Sequence, residues 1–140
     1  MKIFAYTDGA SRGNPGESGI GVILKDEQGH VLTSHCEYIG KATNNIAEYT
    51  ALATCVRLVQ SYPCTSLAVH SDSELMVRQM NGQYKVKDAN LKRHQQKILE
   101  MLHAAPFEFS ICHVRREQNA EADELANRGI DTKKRSVEIV

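Results

Sequence analysis

Apolar residues follow two different periods along the chain, and segments of the two kinds alternate. Short apolar or alternating stretches bounded by glycine, proline and polar residues predict five strands, at residues 2–7, 19–24, 31–39, 66–71 and 107–114. Longer stretches with apolar residues every three to four positions predict four helices, at residues 43–59, 72–80, about 90–103 and 120–128. The first three strands predict an antiparallel meander, and the order of the remaining elements is typical of an α/β layered fold.

The first predicted helix carries an acid on its apolar face. With 3.6 residues per turn, Glu48 lies on the same face as three apolar residues, Leu52, Cys55 and Val59. That face is expected to pack on the sheet, so the carboxylate points inward. Asn45 and Glu48 also resemble a capping box at the helix start. Capping explains a glutamate at this position, but it does not require the glutamate to face the core.

Three further acids lie at the ends of predicted elements. Asp8 follows the first strand and begins a glycine-rich loop, Asp72 follows the fourth strand, and Asp123 lies in the first turn of the last helix. Each has an ordinary explanation, because Asp-Gly is a turn signal, aspartate is a common N-cap, and an acid suits a helix N-terminus. Strand C-termini and helix N-termini nevertheless meet at one edge of a layered sheet. All four acids, Glu48 included, are therefore expected to converge.

Four converging carboxylates repel one another unless cations neutralise them. Oxygen ligands without histidine or cysteine favour Mg²⁺ or Mn²⁺ over zinc. Carboxylates around a pair of divalent ions about 4 Å apart are the apparatus of two-metal phosphoryl transfer. The sequence therefore predicts a site for two Mg²⁺ ions, with Mn²⁺ as an alternative ion.

Composition indicates one domain with no overall charge. Of the 140 residues 41% are hydrophobic, which is enough for one core, so we expect a single domain over residues 1–128 and a tail over 129–140. Lys+Arg and Asp+Glu number 17 each, so any polyanion must be bound by local clusters. The chain shows no signal-like segment and no apolar run of about 20 residues. We therefore expect a soluble, cytoplasmic protein.

The cysteines show no metal-ligand spacing. Cys55 and Cys112 lie on apolar patterns typical of buried thiols, and these two, Cys36 and Cys64 are all expected to be reduced packing residues. If the source organism is thermophilic, a disulfide between one pair of these cysteines is the alternative.

One segment is densely basic. It contains Lys85, Lys87, Lys92, Arg93, His94 and Lys97, with Tyr84 among them. Such residues either contact phosphates or simply form a solvated helix surface, and the sequence leaves both interpretations open. The helix in this segment is expected to bury Leu91, Ile98, Leu99 and Leu102.

Four blocks of the sequence, in order, resemble the signature blocks of type 1 ribonuclease H. They are YTDGASRGNPG at 6–16, TNNIAE at 43–48, SDS at 71–73 with VRQ at 77–79, and HVRREQNAEADELA at 113–126. The resemblance spans residues 2 to about 128. It implies a five-stranded mixed sheet, with an antiparallel meander plus two parallel strands, flanked by helices on both faces. It also implies a monomer that uses Mg²⁺ to cut the RNA strand of RNA/DNA hybrids, leaving 3′-hydroxyl and 5′-phosphate ends.

The resemblance assigns roles to individual residues. It makes Asp8, Glu48, Asp72 and Asp123 the metal ligands. Contacts to RNA 2′-hydroxyls and minor-groove edges are expected near Gly9, from Ser11, Gly13, Asn14, Asn44, Asn45 and Glu74, and from Glu48 as well. Lys41 and Thr43 match a pocket that holds a phosphate of the DNA strand, next to a helix N-terminus suited to anions. The 2′-hydroxyl is the group by which a protein distinguishes RNA from DNA.

Three departures from the family pattern change these expectations. The connection after the second helix is too short for the long basic protrusion of many members, so affinity is expected to depend more on Lys85, Lys87, Lys92 and Arg93. Asp88 stands where the phosphate pocket often has an asparagine. The shorter loop before the last acid resembles a subgroup in which an arginine, here Arg116, replaces a histidine that assists product release; His113 is the competing candidate.

Two other functions are compatible with these residues. One is a different phosphoryl-transfer enzyme of the same fold, such as a DNA-strand transferase or an exonuclease. The other is a catalytically weak or silent module that binds hybrids or double-stranded RNA. The intact set of four acids argues against the second, because a pure binder gains nothing from acids that face phosphate.

Overall fold

The computed structural model describes residues 1–133, and these residues form one five-stranded mixed sheet with helices on both faces. The strands are β1 (Lys2–Arg12), β2 (Gly16–Lys25), β3 (Val31–Ala42), β4 (Ser66–Ser71) and β5 (Glu108–His113). Their order is β3-β2-β1-β4-β5. β1 pairs antiparallel with β2, and β2 with β3, whereas β4 runs parallel to both β1 and β5. The expected meander with two parallel strands is confirmed.

The helices are α1 (Asn44–Val59), α2 (Glu74–Met80), α3 (Ala89–Ala104) and α4 (Ala120–Thr132), and a 3-10 turn, Arg116–Asn119, precedes α4. Successive residues of β2 face opposite sides of the sheet. Val22 and Leu24 join the larger core with α1, α2 and α3, while Ile23 packs with Leu125 of α4 on the other face. This alternation is the two-residue period of a strand that is buried on both sides.

Close packing of α4 on the sheet depends on glycines in β2. A Cβ atom on Gly21 would lie 2.2 Å from the carbonyl oxygen of Ala122, and one on Gly19 would lie 2.3 Å from that of Ala126. Both contacts are far inside van der Waals distance, so only glycine allows the helix backbone to approach this closely. The helix that carries Asp123 is thereby fixed against the centre of the sheet.

The glycine-rich loop expected after residue 7 is mostly strand, which corrects that prediction. The β1–β2 ladder continues from Asp8, opposite Gly21, to Arg12, opposite Glu17, so the turn shrinks to residues 13–15. The β1–β4 ladder stops earlier, at the pair Thr7 and Ser71. Backbone pairing with β2 on one side is enough to extend β1, although its small residues have weak strand propensity.

Two helix caps differ from the expected ones. Thr43, and not the Asn45–Glu48 pair, caps α1 by accepting a hydrogen bond from the Ile46 N–H at 3.2 Å. Ser73 caps α2 in the same way, which leaves the Asp72 side chain free of a capping role. In both cases a hydroxyl immediately before the helix takes the N-cap position for which serine and threonine are preferred.

Asn119 occupies the expected N-cap position of α4, but its side chain makes no capping hydrogen bond. Its amide instead donates to the Thr7 carbonyl oxygen at 2.9 Å, and the side chain is buried. α4 itself extends to Thr132, past its expected end at residue 128. The expected tail beyond residue 133, including its apolar end at 137–140, lies outside the described residues.

Two expectations about burial are wrong. Leu99 of α3 is 41% exposed, although Leu91 and Ile98 are buried as expected. Cys112 is exposed because it lies on the edge strand β5, where Ile111 takes the inward position. The four cysteines are free thiols, and none of the helices within residues 1–133 could span a membrane.

Candidate active site

Asp8 and Asp72 lie side by side where two parallel strands separate. Thr7 and Ser71 form the last pair of the β1–β4 ladder. Asp8 follows Thr7 directly, and Asp72 follows Ser71. Asp72 leaves the sheet, whereas Asp8 is still inside β1 and pairs with β2. Asp8 is only 4% exposed. The expectation that Asp8 ends a strand is therefore wrong, but its position at the end of the parallel ladder brings it to Asp72.

Glu48 reaches this point from α1. It lies beyond the first turn of the helix, which contains no acid, and is 4% exposed. Its Oε1 accepts a hydrogen bond from the Gly9 N–H at 3.1 Å, so the carboxylate is used across the helix–strand contact and not for capping. A Cβ atom on Gly9 would lie 2.3 Å from the Ala47 carbonyl carbon. Glycine at position 9 thus permits the approach that joins Glu48 to Asp8.

One carboxylate oxygen from each of Asp8, Glu48 and Asp72 lies within 4.8 Å of the other two. Burial, with repulsion from Glu48 and Asp72, raises the pKa of Asp8 well above its usual range. Burial and the charge of Asp72 likewise raise the pKa of Glu48, partly offset by the Gly9 N–H. Within residues 1–133, none of these three acids forms an ion pair with a basic side chain. Among the residues that the structure describes, the cluster therefore has no basic side chain to neutralise it.

Asp123 lies in the first turn of α4, at the edge of this cluster. It is not part of the 4.8 Å group, but its carboxyl group is near enough to contribute to the raised pKa of Asp8. The four acids line one cleft of about 220 Å³, together with Gly9, Ala10, Ser11, Asn44 and Arg116. The donor set consists of hard carboxylate oxygens, so it fits a divalent cation of the Mg²⁺ type.

A second pocket of about 470 Å³ lies beside the N-termini of α1 and α3 and is lined by Asn14, Thr43, Asn45, Ile46, Asp88, Asn90 and Leu91. Asn14 is fixed there because its Oδ1 accepts a hydrogen bond from the Asn44 N–H at 2.9 Å. Asp88 caps α3 by accepting from the Leu91 N–H at 2.9 Å. Amides and a hydroxyl therefore surround a single acid in this pocket, in contrast to the cleft.

Comparisons with known proteins agree with this geometry. Residues 6–129 match the family model described as "Reverse transcriptase-like". LC11-RNase H1, in its complex with an RNA/DNA hybrid, is 44% identical with a TM-score of 0.90, over 94% of this chain and 98% of that one. Ribonuclease H of Coxiella burnetii is 32% identical over 92% of this chain and 90% of the relative.

The chain belongs to the type 1 ribonuclease H family. Ribonuclease HI of Halobacterium salinarum is 36% identical over 93% of this chain, and its structure superposes with a TM-score of 0.90. The chain spans 65% of the length of that relative and 36% of a bifunctional protein of Mycobacterium tuberculosis, to which it is 37% identical. The acidic cleft and the second pocket both lie within the matched region.

The other residues assigned by resemblance to type 1 ribonuclease H fall into three groups. Ser11 and Asn44 line the acidic cleft, and Asn14, Thr43 and Asn45 line the second pocket. Residues that line neither of these two are Gly13, Lys41, Glu74, Lys85 and Lys87. Glu74 pairs with Arg78 at 2.9 Å, and Lys41, Lys85 and Lys87 are exposed. Their expected contacts with substrate stay predictions.

Arg116 lines the cleft, whereas His113 ends β5 as an exposed residue and does not line it. The geometry therefore favours Arg116 over His113 as the basic group near the acids. Asn119, the last residue of the 3-10 turn, contributes to this arrangement. Its bond to the Thr7 carbonyl ties the 3-10 turn that carries Arg116 to the strand that carries Asp8. Sequence patterns gave no signal for this tether, because the two residues are 112 positions apart.

Proposed function

We propose that this chain is an endoribonuclease that cleaves the RNA strand of RNA/DNA hybrids and leaves 3′-hydroxyl and 5′-phosphate ends. The observation that carries the proposal is the cluster of Asp8, Glu48 and Asp72, of which the first two are buried and none has a basic partner among the described residues. Support also comes from LC11-RNase H1, whose structure was solved with an RNA/DNA hybrid. The chain covers only part of the length of some relatives. If it belongs to a longer protein, we propose the same activity for that protein.

Asp8, Glu48, Asp72 and Asp123 would hold two Mg²⁺ ions, and Mn²⁺ would serve as a substitute. When bound, such ions activate a water molecule and stabilise the leaving oxygen of the scissile phosphate. The protein contributes the arrangement of its carboxylates. The Gly9 N–H holds one oxygen of Glu48, so this side chain keeps a fixed orientation before any ligand enters.

Substrate recognition would use the polar residues around the cleft. Ser11 and Asn44 lie next to the acids, where the 2′-hydroxyls of the RNA strand would pass. Asn14 and Asn45, which line the second pocket, would contact RNA 2′-hydroxyls and minor-groove edges, as would Gly13 and Glu74. Thr43 and Lys41 would hold a phosphate of the DNA strand, and Lys85 and Lys87 would supply further positive charge for substrate binding. Arg116, exposed at the rim of the cleft, would hold the cleaved phosphate and assist its release.

The decisive experiment incubates the protein with a hybrid labelled on its RNA strand in the presence of Mg²⁺. Cleavage products with 3′-hydroxyl and 5′-phosphate ends are expected, and Asp8→Asn should lower the rate by at least about a thousandfold because it removes a carboxylate that would hold the metal ions. The matched control is Glu100→Gln, which neutralises an exposed acid of α3 and should leave the rate unchanged. Intact RNA with the wild-type protein would refute the proposal.

Two duplexes separate the alternatives. Cutting of double-stranded DNA at a rate similar to that of the hybrid would indicate a different phosphoryl-transfer nuclease. Binding of the hybrid without cleavage under any Mg²⁺ or Mn²⁺ condition would indicate a silent binding module. We further propose a monomeric cytoplasmic enzyme with its catalytic domain in residues 1–128, which contain every residue that lines the cleft. Sedimentation of the purified protein tests the monomer.

A further inference from the structure

Three polar residues of α4 form a stripe with a spacing of four, and the first of them is the acid Asp123. The others are Asn127 and Asp131. The Asn127 Nδ2 donates to the Asp123 carbonyl oxygen at 3.0 Å and lies 3.4 Å from its carboxylate Oδ1. Asp123 and Asn127 are both half-buried, so this amide restricts how the Asp123 carboxylate can turn.

Arg12, at the end of β1, holds this stripe from the other side. Its Nη2 donates to the Asn127 Oδ1 at 3.1 Å, and its Nη1 donates to the Asp131 Oδ1 at 2.6 Å. A guanidinium group has donors only, so the amide oxygen of Asn127 must face Arg12 and its NH₂ must face Asp123. The reverse orientation would place two donors against each other and an oxygen against a carboxylate. Arg12 therefore selects the orientation in which Asn127 donates to Asp123.

We propose that Asn127, oriented by Arg12, is a positioning residue that holds the Asp123 carboxylate toward the cleft for metal binding. This inference rests on the proposed function of the same site. Asp8 and Glu48 are fixed by burial and by the Gly9 N–H, whereas Asp123 lies outside their 4.8 Å group and needs another constraint. Hydrogen-bond partners behind metal ligands commonly supply such a constraint.

The same bonds join the metal site to the substrate-facing turn. Arg12 immediately precedes Gly13 and Asn14, and Asn14 is bonded to the N-terminus of α1 through the Asn44 N–H. Arg12 is exposed, so its removal does not empty the core. Arg12 therefore connects the turn to Asp123 through Asn127. A substitution of Arg12 should change how firmly the Asp123 carboxylate is held.

The test compares Asn127→Ala with Arg128→Ala. Arg128 is the next residue along α4, and its only described ion pair is with Glu124 on the exposed side of the helix. The first readout is calorimetric titration of the free protein with Mg²⁺ and with Mn²⁺. Asn127→Ala should weaken the affinity for the ion by about tenfold, as is typical when a hydrogen-bond partner of a metal ligand is removed. Arg128→Ala should match the wild type.

Hybrid cleavage gives the second readout. The Mg²⁺ concentration for half-maximal rate should rise by a similar factor in Asn127→Ala, and the rate should recover at high Mg²⁺, while the KM for the hybrid stays within about twofold. Recovery by added metal would not occur if the variant merely disrupted the helix. Arg12→Ala should raise this Mg²⁺ concentration by a smaller factor. Arg12→Lys retains a cationic donor, so its value should lie between those of the wild type and Arg12→Ala.

A double-variant comparison tests whether Arg12 acts through Asn127. Because both changes break one chain of bonds, Arg12→Ala combined with Asn127→Ala should bind metal no more weakly than Asn127→Ala alone. Full additivity would overturn the role given to Arg12. Wild-type metal affinity in Asn127→Ala would overturn the whole inference, and so would a wild-type protein that binds no divalent ion. A wild-type protein that binds metal but leaves the hybrid intact would refute the proposed function alone, since the calorimetric comparison still decides the role of Asn127.

Discussion

The acidic cleft and the pocket beside the N-termini of α1 and α3 both contain acids, but those acids are in opposite situations. In the cleft Asp8 and Glu48 are buried and face other carboxylates. In the pocket Asp88 is exposed and accepts the Leu91 N–H at the positive end of α3. The helix itself compensates Asp88, whereas no basic side chain within residues 1–133 forms an ion pair with Asp8, Glu48 or Asp72. An external cation is therefore expected in the cleft.

Gly9 sets this difference, because it allows α1 to bring Glu48 against β1. Gly9→Ala should force the Ala47 and Glu48 backbone away, since the added Cβ would lie 2.3–2.6 Å from it. We expect a loss of about 3 kcal/mol in the free energy of unfolding, the upper end of the usual cost of overpacking. Cleavage should fall by more than about a hundredfold, because a displacement of 1 Å at a reaction centre has effects of this size.

Gly29→Ala provides the control for this prediction. Gly29 has φ +84° and nothing within 4 Å of its missing side chain, so alanine there adds backbone strain without a collision. Urea denaturation should show a loss of only about 1 kcal/mol, the cost of a left-handed alanine, and the cleavage rate should not change. If the two variants lose activity equally, strain and not the approach of α1 is responsible.

The repulsion inside the cleft predicts that an activity-destroying substitution stabilises the metal-free fold. Because the pKa of Asp8 is raised, the folded protein retains a proton that the unfolded chain releases, so its stability falls as the pH rises from about 5 to 8. Asp8→Asn mimics the protonated group. It should increase the free energy of unfolding by on the order of 2 kcal/mol at about pH 8, with a flatter pH dependence.

Urea denaturation in a chelator at several pH values measures this effect. Glu100→Gln, which removes an exposed acid, should shift stability by less than about 0.5 kcal/mol. Added Mg²⁺ should stabilise the wild type more than Asp8→Asn, because an ion that binds only the folded state adds to its stability. A less stable Asp8→Asn at alkaline pH would mean that these carboxylates are compensated by the protein after all.

The sequence was sufficient for the sheet, the helices and the convergence of the acids, and the reasons are local. The helical period placed Glu48 inward, and the strand–acid pattern placed Asp72 after β4. What it missed depends on competition or distance. Thr43 and Ser73 outcompete the acids as caps, and β1 continues past Asp8 because β2 pairs with it. Such choices depend on partners elsewhere in the fold, which propensity alone does not contain.

The side-chain hydrogen bonds that join distant residues around the cleft were not predicted. Arg12 and Asp131 are 119 positions apart, and each reads as an ordinary exposed charge. The Asn119 tether to Thr7 has the same character. These bonds connect the cleft to the rest of the molecule. The sequence therefore predicted which acids form the site, but the hydrogen bonds that hold them in place were visible only in the folded structure.

Arg116 is a basic residue at the rim of the cleft. Its substitution tests whether catalysis needs this side chain in addition to the acids and a bound cation. Arg116→Ala should lower kcat by about tenfold with little change in KM, the pattern of a group that acts after substrate binding. His113→Ala should have no effect, because His113 does not line the cleft. Steady-state kinetics on the hybrid distinguish the two, and a larger loss in His113→Ala would reverse the assignment.

The smallest expected effect belongs to Asp88, the compensated acid. Asp88→Asn should lower the KM for the hybrid by about threefold, because it removes one negative charge from a pocket proposed to hold a phosphate. Stability should be unchanged, since asparagine caps a helix as well as aspartate does. Glu100→Gln removes the same charge from the same helix, 12 residues or about 18 Å further along. If the two variants gain affinity equally, the effect is one of overall charge; a gain in Asp88→Asn alone means that the second pocket meets the substrate directly and that its acid weakens binding.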